Sequence, residues 1–492
     1  MNIRNRRPRA GRVPAPAILA SCVLLVACAS ETPTPLDVTG GTVVRNAAVV
    51  DTRTGRIASG MSVVLQEGRI SAVTDRPVRV GGAARVVDGS GKFVVPGYLD
   101  MHTHTLVHAD RQPPWPLLLS HGITGIREMS GTPPALIERA RRLNADRAAG
   151  RVDAPEVVQI AGPLFVGAPT PQAAAQHVEA TQKLRADFVK VVGGSPPAIM
   201  AVLREAKARN IPVAGHLPPL IDSAAASEVG FRSMEHLGAG VGVPLDCAAE
   251  RAAIRRDIAA AQATPPVLSP LAILSPLLFR VNDAPIYARV MASFDPKACE
   301  ALGRTFARNQ TWQVPTLIRL RTMHFSDDPQ YRNNPNLAYL DPSTRAMWER
   351  AAQQWEQTVP GDTARTFRDY YKLQLQAVKL LKQQGVKMMA GSDYGGIWVL
   401  PGFGLHQEFR ELAAAGLTPL EVLQMTTLNP AEYLGRESSH GTVEAGKQAD
   451  LVLLDANPLA DVANLDRIAG LFLDGRYFDR EALKAMKEQA RR

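Results

Sequence analysis

The chain has 492 residues, 46% hydrophobic and 21% charged, a length and balance that describe a large folded protein with one big domain and a smaller one and exclude a disordered chain. Its formal net charge of +9 does not point to nucleic acid. Arg4, Arg6, Arg7, Arg9 and Arg12 crowd into the first turn of the text, and the remaining positive charges form no basic run interleaved with aromatics.

Residues 1–28 read as a secretory leader: an arginine-rich start, the apolar stretch Ala15 to Ala27, then Cys28. The stretch is shorter than the roughly 20 apolar residues of a membrane span. Leu25-Val26-Ala27-Cys28 resembles the bacterial lipoprotein box, which implies lipidation of Cys28 and a lipid anchor holding the protein at the cell envelope, facing the periplasm. Ala29 after the cysteine favours the outer membrane. Residues 29–36, rich in Thr and Pro, follow as a tether.

From 37 to 96 the text is strand and turn. Met61 to Leu65, the Glu67-Gly68 turn and Arg69 to Val73 spell a hairpin. Such a short set cannot bury its apolar face alone. Its expected partner is residues 436–481, where Ala449 to Asp455 and Gly470 to Tyr477 read as further strands, so both chain ends build one small β-sandwich, with 482–492 as a tail.

The segment 97–435 alternates short apolar strands with helices. Tyr98–Met101, Thr124–Met129, Val157–Ala161, Phe188–Val192, Ile211–His216, Arg232–His236, Trp312–Leu317 and Val386–Ala390 predict an α/β fold, a (β/α)8 TIM barrel. Residues 240–308 and 321–366 break the alternation and are expected to be insertions over the barrel mouth. A doubly wound open sheet is the rival fold, and it lacks a glycine-rich loop after its first strand.

Polar residues gather at the predicted strand ends. His102 and His104 lie two apart in Pro96-Gly97-Tyr98-Leu99-Asp100-Met101-His102-Thr103-His104, so in a strand both imidazoles face one point, as metal ligands do. Strand four carries Lys190 among apolar neighbours, strand five ends in Gly215-His216, strand six in Glu235-His236 and strand eight in Gly391-Ser392-Asp393. A buried lysine beside cations has a lowered pKa, and its neutral amine can take up carbon dioxide as a carbamate, an anionic ligand able to bridge two metals. After strand seven, Arg319 and Arg321 are candidates to meet a substrate carboxylate, with Arg321 preferred because it lies farther out. Tyr394 is a candidate for the mouth, His406 for support behind the site, and Cys247 and Cys299 for a disulfide pinning the first insertion. No His-Glu-x-x-His or Gly-x-Ser-x-Gly occurs.

In this ordered set of motifs, with Leu428-Asn429-Pro430-Ala431 and the run from Gly441 to Leu451, the chain resembles the amidohydrolase superfamily, in its imidazolonepropionase-like and prolidase-like branch, over about residues 40 to 480. The resemblance implies that His102, His104 and Asp393 hold one divalent metal, His216 and His236 a second, and an N6-carboxylysine at Lys190 bridges them. Zinc is the default ion for such donors. It further implies hydrolysis of a small-molecule or short-peptide substrate, an amide in a short peptide or N-acyl amino acid, with Asp393 as general base and then acid. A lactonase or carboxylic esterase would use the same centre, and an inactive metal-binding module of the envelope is the non-enzyme alternative. No nucleic-acid partner is expected, membrane contact is expected only through the lipid, and a homo-oligomer is compatible with the sequence.

Overall fold

The computed structural model describes residues 34–108, 113–261 and 273–491; the leader and Cys28 lie outside them. Seven parallel strands follow one another in chain order and pair side by side: Tyr98–Thr103, Ile123–Glu128, Glu156–Phe165, Phe188–Val191, Val213–Gly215, Phe231–Glu235 and Trp312–Val314. Val386–Ala390, expected as strand eight, forms single bridges instead of a ladder, yet it still closes the barrel. Met389 N–H donates to Gln313 O on one side (3.0 Å), and Met101 N–H donates to Ala390 O on the other (2.9 Å). Gly391 permits this close approach, because a Cβ there would fall 2.7 Å from His102 Cβ and 2.8 Å from Val314 Cγ1.

The two chain ends do meet. Leu451–Leu454 runs antiparallel against Phe93–Pro96 inside an eight-stranded sheet. Side chains alternate across it as a two-residue period requires: Val95, Val452 and Leu454 join the barrel's core, while Val94, Leu451 and Leu453 face the other way. A small pair, Leu36–Val38 with Val78–Val80, packs over Val43 and Val64 as a second layer, so Leu36, the last residue of the expected tether, already belongs to a strand. The expected tail is also ordered differently: Arg480–Ala490 is a helix that packs on the helix Trp115–Ser120.

The insertions are smaller than expected at their edges. Pro296–Asn309 is a barrel helix whose Cys299, Leu302 and Phe306 enter the main core. Gly361–Gln383, a 23-residue helix, leads directly into the closing segment. Between and around them, Leu245, Ile254, Tyr287, Trp348, Trp355, Phe367, Tyr370 and Trp398 form a separate apolar core above the barrel mouth. Cys247 and Cys299 are joined as a disulfide, with Cα atoms 4.5 Å apart, and tie this layer to the barrel. Among the described residues no helix is long and apolar enough to cross a membrane.

Candidate metal centre

The strand Tyr98–Thr103 delivers His102 to the end of the barrel, and His104 follows directly. Opposite, the closing segment ends at Asp393, held against strand one by Asp393 N–H donating to His102 O at 2.8 Å. His102 Nε2 and His104 Nε2 each lie 3.3 Å from Asp393 Oδ1, and the three donor atoms lie within 4.8 Å of one another. His236 Nε2 is 3.7 Å from Asp393 Oδ2. The His236 ring stands 4.8 Å from that of His216 and 4.6 Å from that of His102. The strand ends thus bring together all four histidines and the aspartate singled out in the sequence.

His236 and Asp393 both adopt left-handed backbone (φ 58° and 55°), a conformation uncommon outside glycine that concentrates where function fixes the chain. Gly215, just before His216, is required for a related reason: a Cβ would fall 2.0 Å from Val191 O.

Lys190 is buried, and its Nζ has no hydrogen-bond partner. Burial above all pushes the amine down to about 8, against the pull of Glu235 and Asp393 in the other direction. Burial, with Lys190 adding repulsion, also holds His102 and His216 well below the usual imidazole range; His236 is lowered mainly by burial too. All three are neutral, as ligands must be. Burial pushes the Asp393 carboxyl up, but its contacts with His102, His236 and His104 outweigh it, so Asp393 stays ionised.

Around these residues lies a buried polar shell whose roles went unassigned in the sequence. His102 Nδ1 donates to Glu235 Oε2 (2.7 Å), which fixes the proton on Nδ1 and leaves Nε2 as a lone-pair donor without a partner. Arg127 Nη2 and Ser233 Oγ each donate to Glu235 Oε1 at 2.7 Å, and Arg127 Nε donates to Met101 O. Asp100 accepts from Ser392 N–H and Ser392 Oγ, which fixes the segment carrying Asp393. Burial raises its carboxyl to about 7. Glu128 is likewise raised to about 7, chiefly by burial, and accepts from Thr105 Oγ1 and Leu106 N–H just past His104. One signal was available: Arg127-Glu128 and Asp100 are charges inside otherwise apolar strand text, where a charge survives only if paired.

Strand seven corrects another expectation. It stops at Val314, the chain turns at Thr316 (φ 44°), and Leu317–His324 is a helix. Residues two apart on a helix point about 200° apart, so Arg319 and Arg321 part company. Arg319 is buried and brings Nε to 3.3 Å from Asp393 Oδ2, while Nη1 and Nη2 donate to Leu274 O and Ile273 O. Arg321, the preferred candidate, instead pairs with Glu411 (3.1 Å) and donates to the Tyr331 hydroxyl (2.7 Å), away from the histidines. His406 is also away from them: its Nε2 donates to His121 O, and its ring packs on Tyr98 and Phe409. Tyr394 stands beside the site, with its carbonyl accepting from His104 N–H at 3.2 Å.

The donor chemistry fits a divalent cation. Neutral imidazoles and an ionised carboxylate converge, and the buried His102 Nε2 has nothing else to bind. Three donors meet closely enough for one ion; His216, His236 and Lys190 lie beside them.

A model of the amidohydrolase family matches residues 366–477. An imidazolonepropionase of Shouchella clausii (strain KSM-K16) is 55% identical over 40 residues, which are 8% of this chain and 9% of that protein; the chain thus matches only about a tenth of that relative's length. Bottromycin amidohydrolase shares the fold at a TM-score of 0.68, with 21% identity over 91% of this chain and 90% of that one. A Xaa-Pro dipeptidase does so at 0.61, with 17% identity over 89% and 100%.

Proposed function

We propose that the chain is a metal-dependent hydrolase of amide bonds in short peptides or N-acyl amino acids, akin to the imidazolonepropionase-like and prolidase-like amidohydrolases; the match of residues 366–477 to the amidohydrolase family model and the shared fold support this reading. The observation that carries this reading is the meeting of His102, His104 and Asp393 around an unpartnered imidazole nitrogen.

His102, His104 and Asp393 would hold one divalent ion and His216 and His236 another. Such ions, zinc by donor type, supply Lewis-acid polarisation of the scissile carbonyl and acidify a water. Lys190 is the chain's own candidate for a bridge between them. With its amine at about 8, a fraction is neutral at physiological pH and can add to carbon dioxide, releasing a proton and leaving a carbamate on Nζ. Asp393 is placed to take the proton of the attacking water on a carboxylate oxygen and return it to the leaving nitrogen. Glu235 and Arg127 hold His102 in one tautomer throughout. Arg319, whose Nε lies 3.3 Å from Asp393 Oδ2, is the chain's candidate for meeting a substrate carboxylate. The leader and Cys28 support placing this activity at the bacterial envelope, lipid-anchored on the periplasmic side.

The test is to strip metal with a chelator, restore zinc, and follow N-acetyl amino acids and their ester counterparts. Zinc-dependent amide hydrolysis abolished in Asp393→Asn is the expected result. Ester or lactone turnover without amide turnover would move the assignment to an esterase, and the same rates with and without metal would end it.

A further inference from the structure

A cleft lined in part by Tyr394 and Gly395, the two residues that follow Asp393 in the chain, opens beneath the layer above the barrel mouth. Two residues relate it to the metal centre. Tyr394 lines it and follows Asp393 directly; Leu274 lines it, and its carbonyl accepts from Arg319, whose Nε meets Asp393. Leu117 of the helix Trp115–Ser120 and Leu340, Met347 and Trp348 from the layer above the mouth supply apolar wall.

One carboxylate, Asp341, stands in the lining. It caps the helix Pro342–Thr358, accepting from Ser343 and Thr344 through both their backbone N–H groups and their hydroxyls. Its oxygens are therefore occupied, and it contributes a fixed negative charge instead of a hydrogen-bonding hook. The wall chemistry thus welcomes an uncharged apolar group and repels an anionic one.

Resting on the hydrolase reading, we propose that this cleft is the specificity pocket for the side chain of the amino acid released, and that it takes aliphatic and aromatic side chains and refuses acidic ones. The carboxylate of that residue falls to Arg319 on the Leu274 side, and its side chain to Leu340, Met347 and Trp348. Burying a leucine- or phenylalanine-sized side chain in such a pocket is worth roughly 10- to 100-fold in kcat/KM over glycine.

The experiment uses the full chain loaded with zinc and the series N-acetyl-Phe, -Leu, -Gly and -Asp. Phe and Leu derivatives are expected to exceed Gly by that factor, with Asp below Gly. Met347, half-buried at the cleft, is the residue to vary: Met347→Glu should collapse the Phe/Gly ratio towards one, and Met347→Ala, which needs no buried charge, should reduce it severalfold. Calorimetric titration with free phenylalanine and glycine reads the pocket without turnover. Equal rates across the series in the parent, or a Phe/Gly ratio unmoved in Met347→Ala, would overturn the pocket and leave the hydrolase standing. Absence of amide turnover, with phenylalanine still bound more tightly than glycine and that preference lost in Met347→Glu, would overturn the hydrolase and leave the pocket. Failure of both rate and binding preference overturns both.

Discussion

Thr316 governs His236 in a way that the residue type alone does not announce. Its hydroxyl donates to Pro315 O at 2.8 Å, so towards His236 Nδ1, its other close partner, the oxygen can only accept. That places the His236 proton on Nδ1 and frees Nε2 towards Asp393, the same logic that Glu235 imposes on His102. To reach this position Thr316 adopts φ 44°, which is strained for a β-branched residue. Thr316→Ser should therefore keep the tautomer, and Thr316→Gly should relieve the backbone yet lose it, with zinc affinity falling about 10- to 100-fold. Nitrogen-15 imidazole spectra of the metal-free protein read the tautomer directly; an Nδ1-protonated His236 in Thr316→Gly would contradict this. Lys190 makes a complementary case, because a buried ammonium without partners costs stability. Lys190→Met should leave the metal-free fold as stable as the parent or more so, by about 1 kcal/mol or more, while metal content and turnover collapse. Thermal melting with metal analysis decides it, and retention of two metals per chain would remove Lys190 from the bridge.

At the scale of elements, the meeting of His102, His104 and Asp393 was legible because these residues follow apolar strand text, and a strand's period of two makes His102 and His104 neighbours without knowledge of the rest. The joining of both chain ends was legible from hydrophobic strand text that had no local partner. What sequence could not display was the angular position of a side chain after an unforeseen turn. Trp312–Leu317 reads as one strand, but Thr316 reverses the chain. Leu317–His324 then coils, capped by Glu408 accepting from Ile318 N–H at 2.7 Å, and exchanges the roles of Arg319 and Arg321. Long-range partners such as Arg127 and Glu235 were hidden for a related reason: a pair 108 residues apart leaves no spacing to read. The register of this helix makes a direct prediction. Arg319→Met should lower kcat/KM on a substrate with a free carboxylate by about 2 kcal/mol or more relative to its amide, since a charged contact in a dry pocket is lost. Arg321→Met should alter that ratio by less than about twofold and act on stability instead, through Glu411 and Tyr331. Steady-state rates on the acid and amide pair for both variants test it, and the reverse order would refute the helix register.

At the scale of the molecule, the barrel and the terminal sheet are held by a shared apolar core and by buried ion pairs that cross between them. Arg147, from the barrel helix Ala135–Ala148, donates to Asp450 at 2.7 Å and to Asp474 at 3.2 Å, both in the terminal domain. Glu156, at the foot of strand three, meets Arg436 at 2.7 Å and His440 at 3.7 Å where the chain returns from the barrel to the sheet. Burial pushes the Glu156 carboxyl up, but the hydrogen bonds and charges of His440 and Arg436 outweigh it and hold it at about 2, below its ordinary 4.5. A carboxylate with a depressed folded pKa contributes stability that is complete above its unfolded value and is lost as pH falls from about 5 to about 2. With the side chain one-fifth exposed, solvent screening trims that contribution to about 2 kcal/mol. Glu156→Gln should accordingly lower Tm at pH 7, and below about pH 5 the gap between variant and parent should narrow towards pH 2 to 3. Other carboxylates, some raised by burial and some lowered by their partners, shift both proteins alike, so the difference between the two curves isolates this site. A gap that stays constant with pH would mean that Glu156 acts through packing alone, and a gap that widens in acid would reverse the assigned sign.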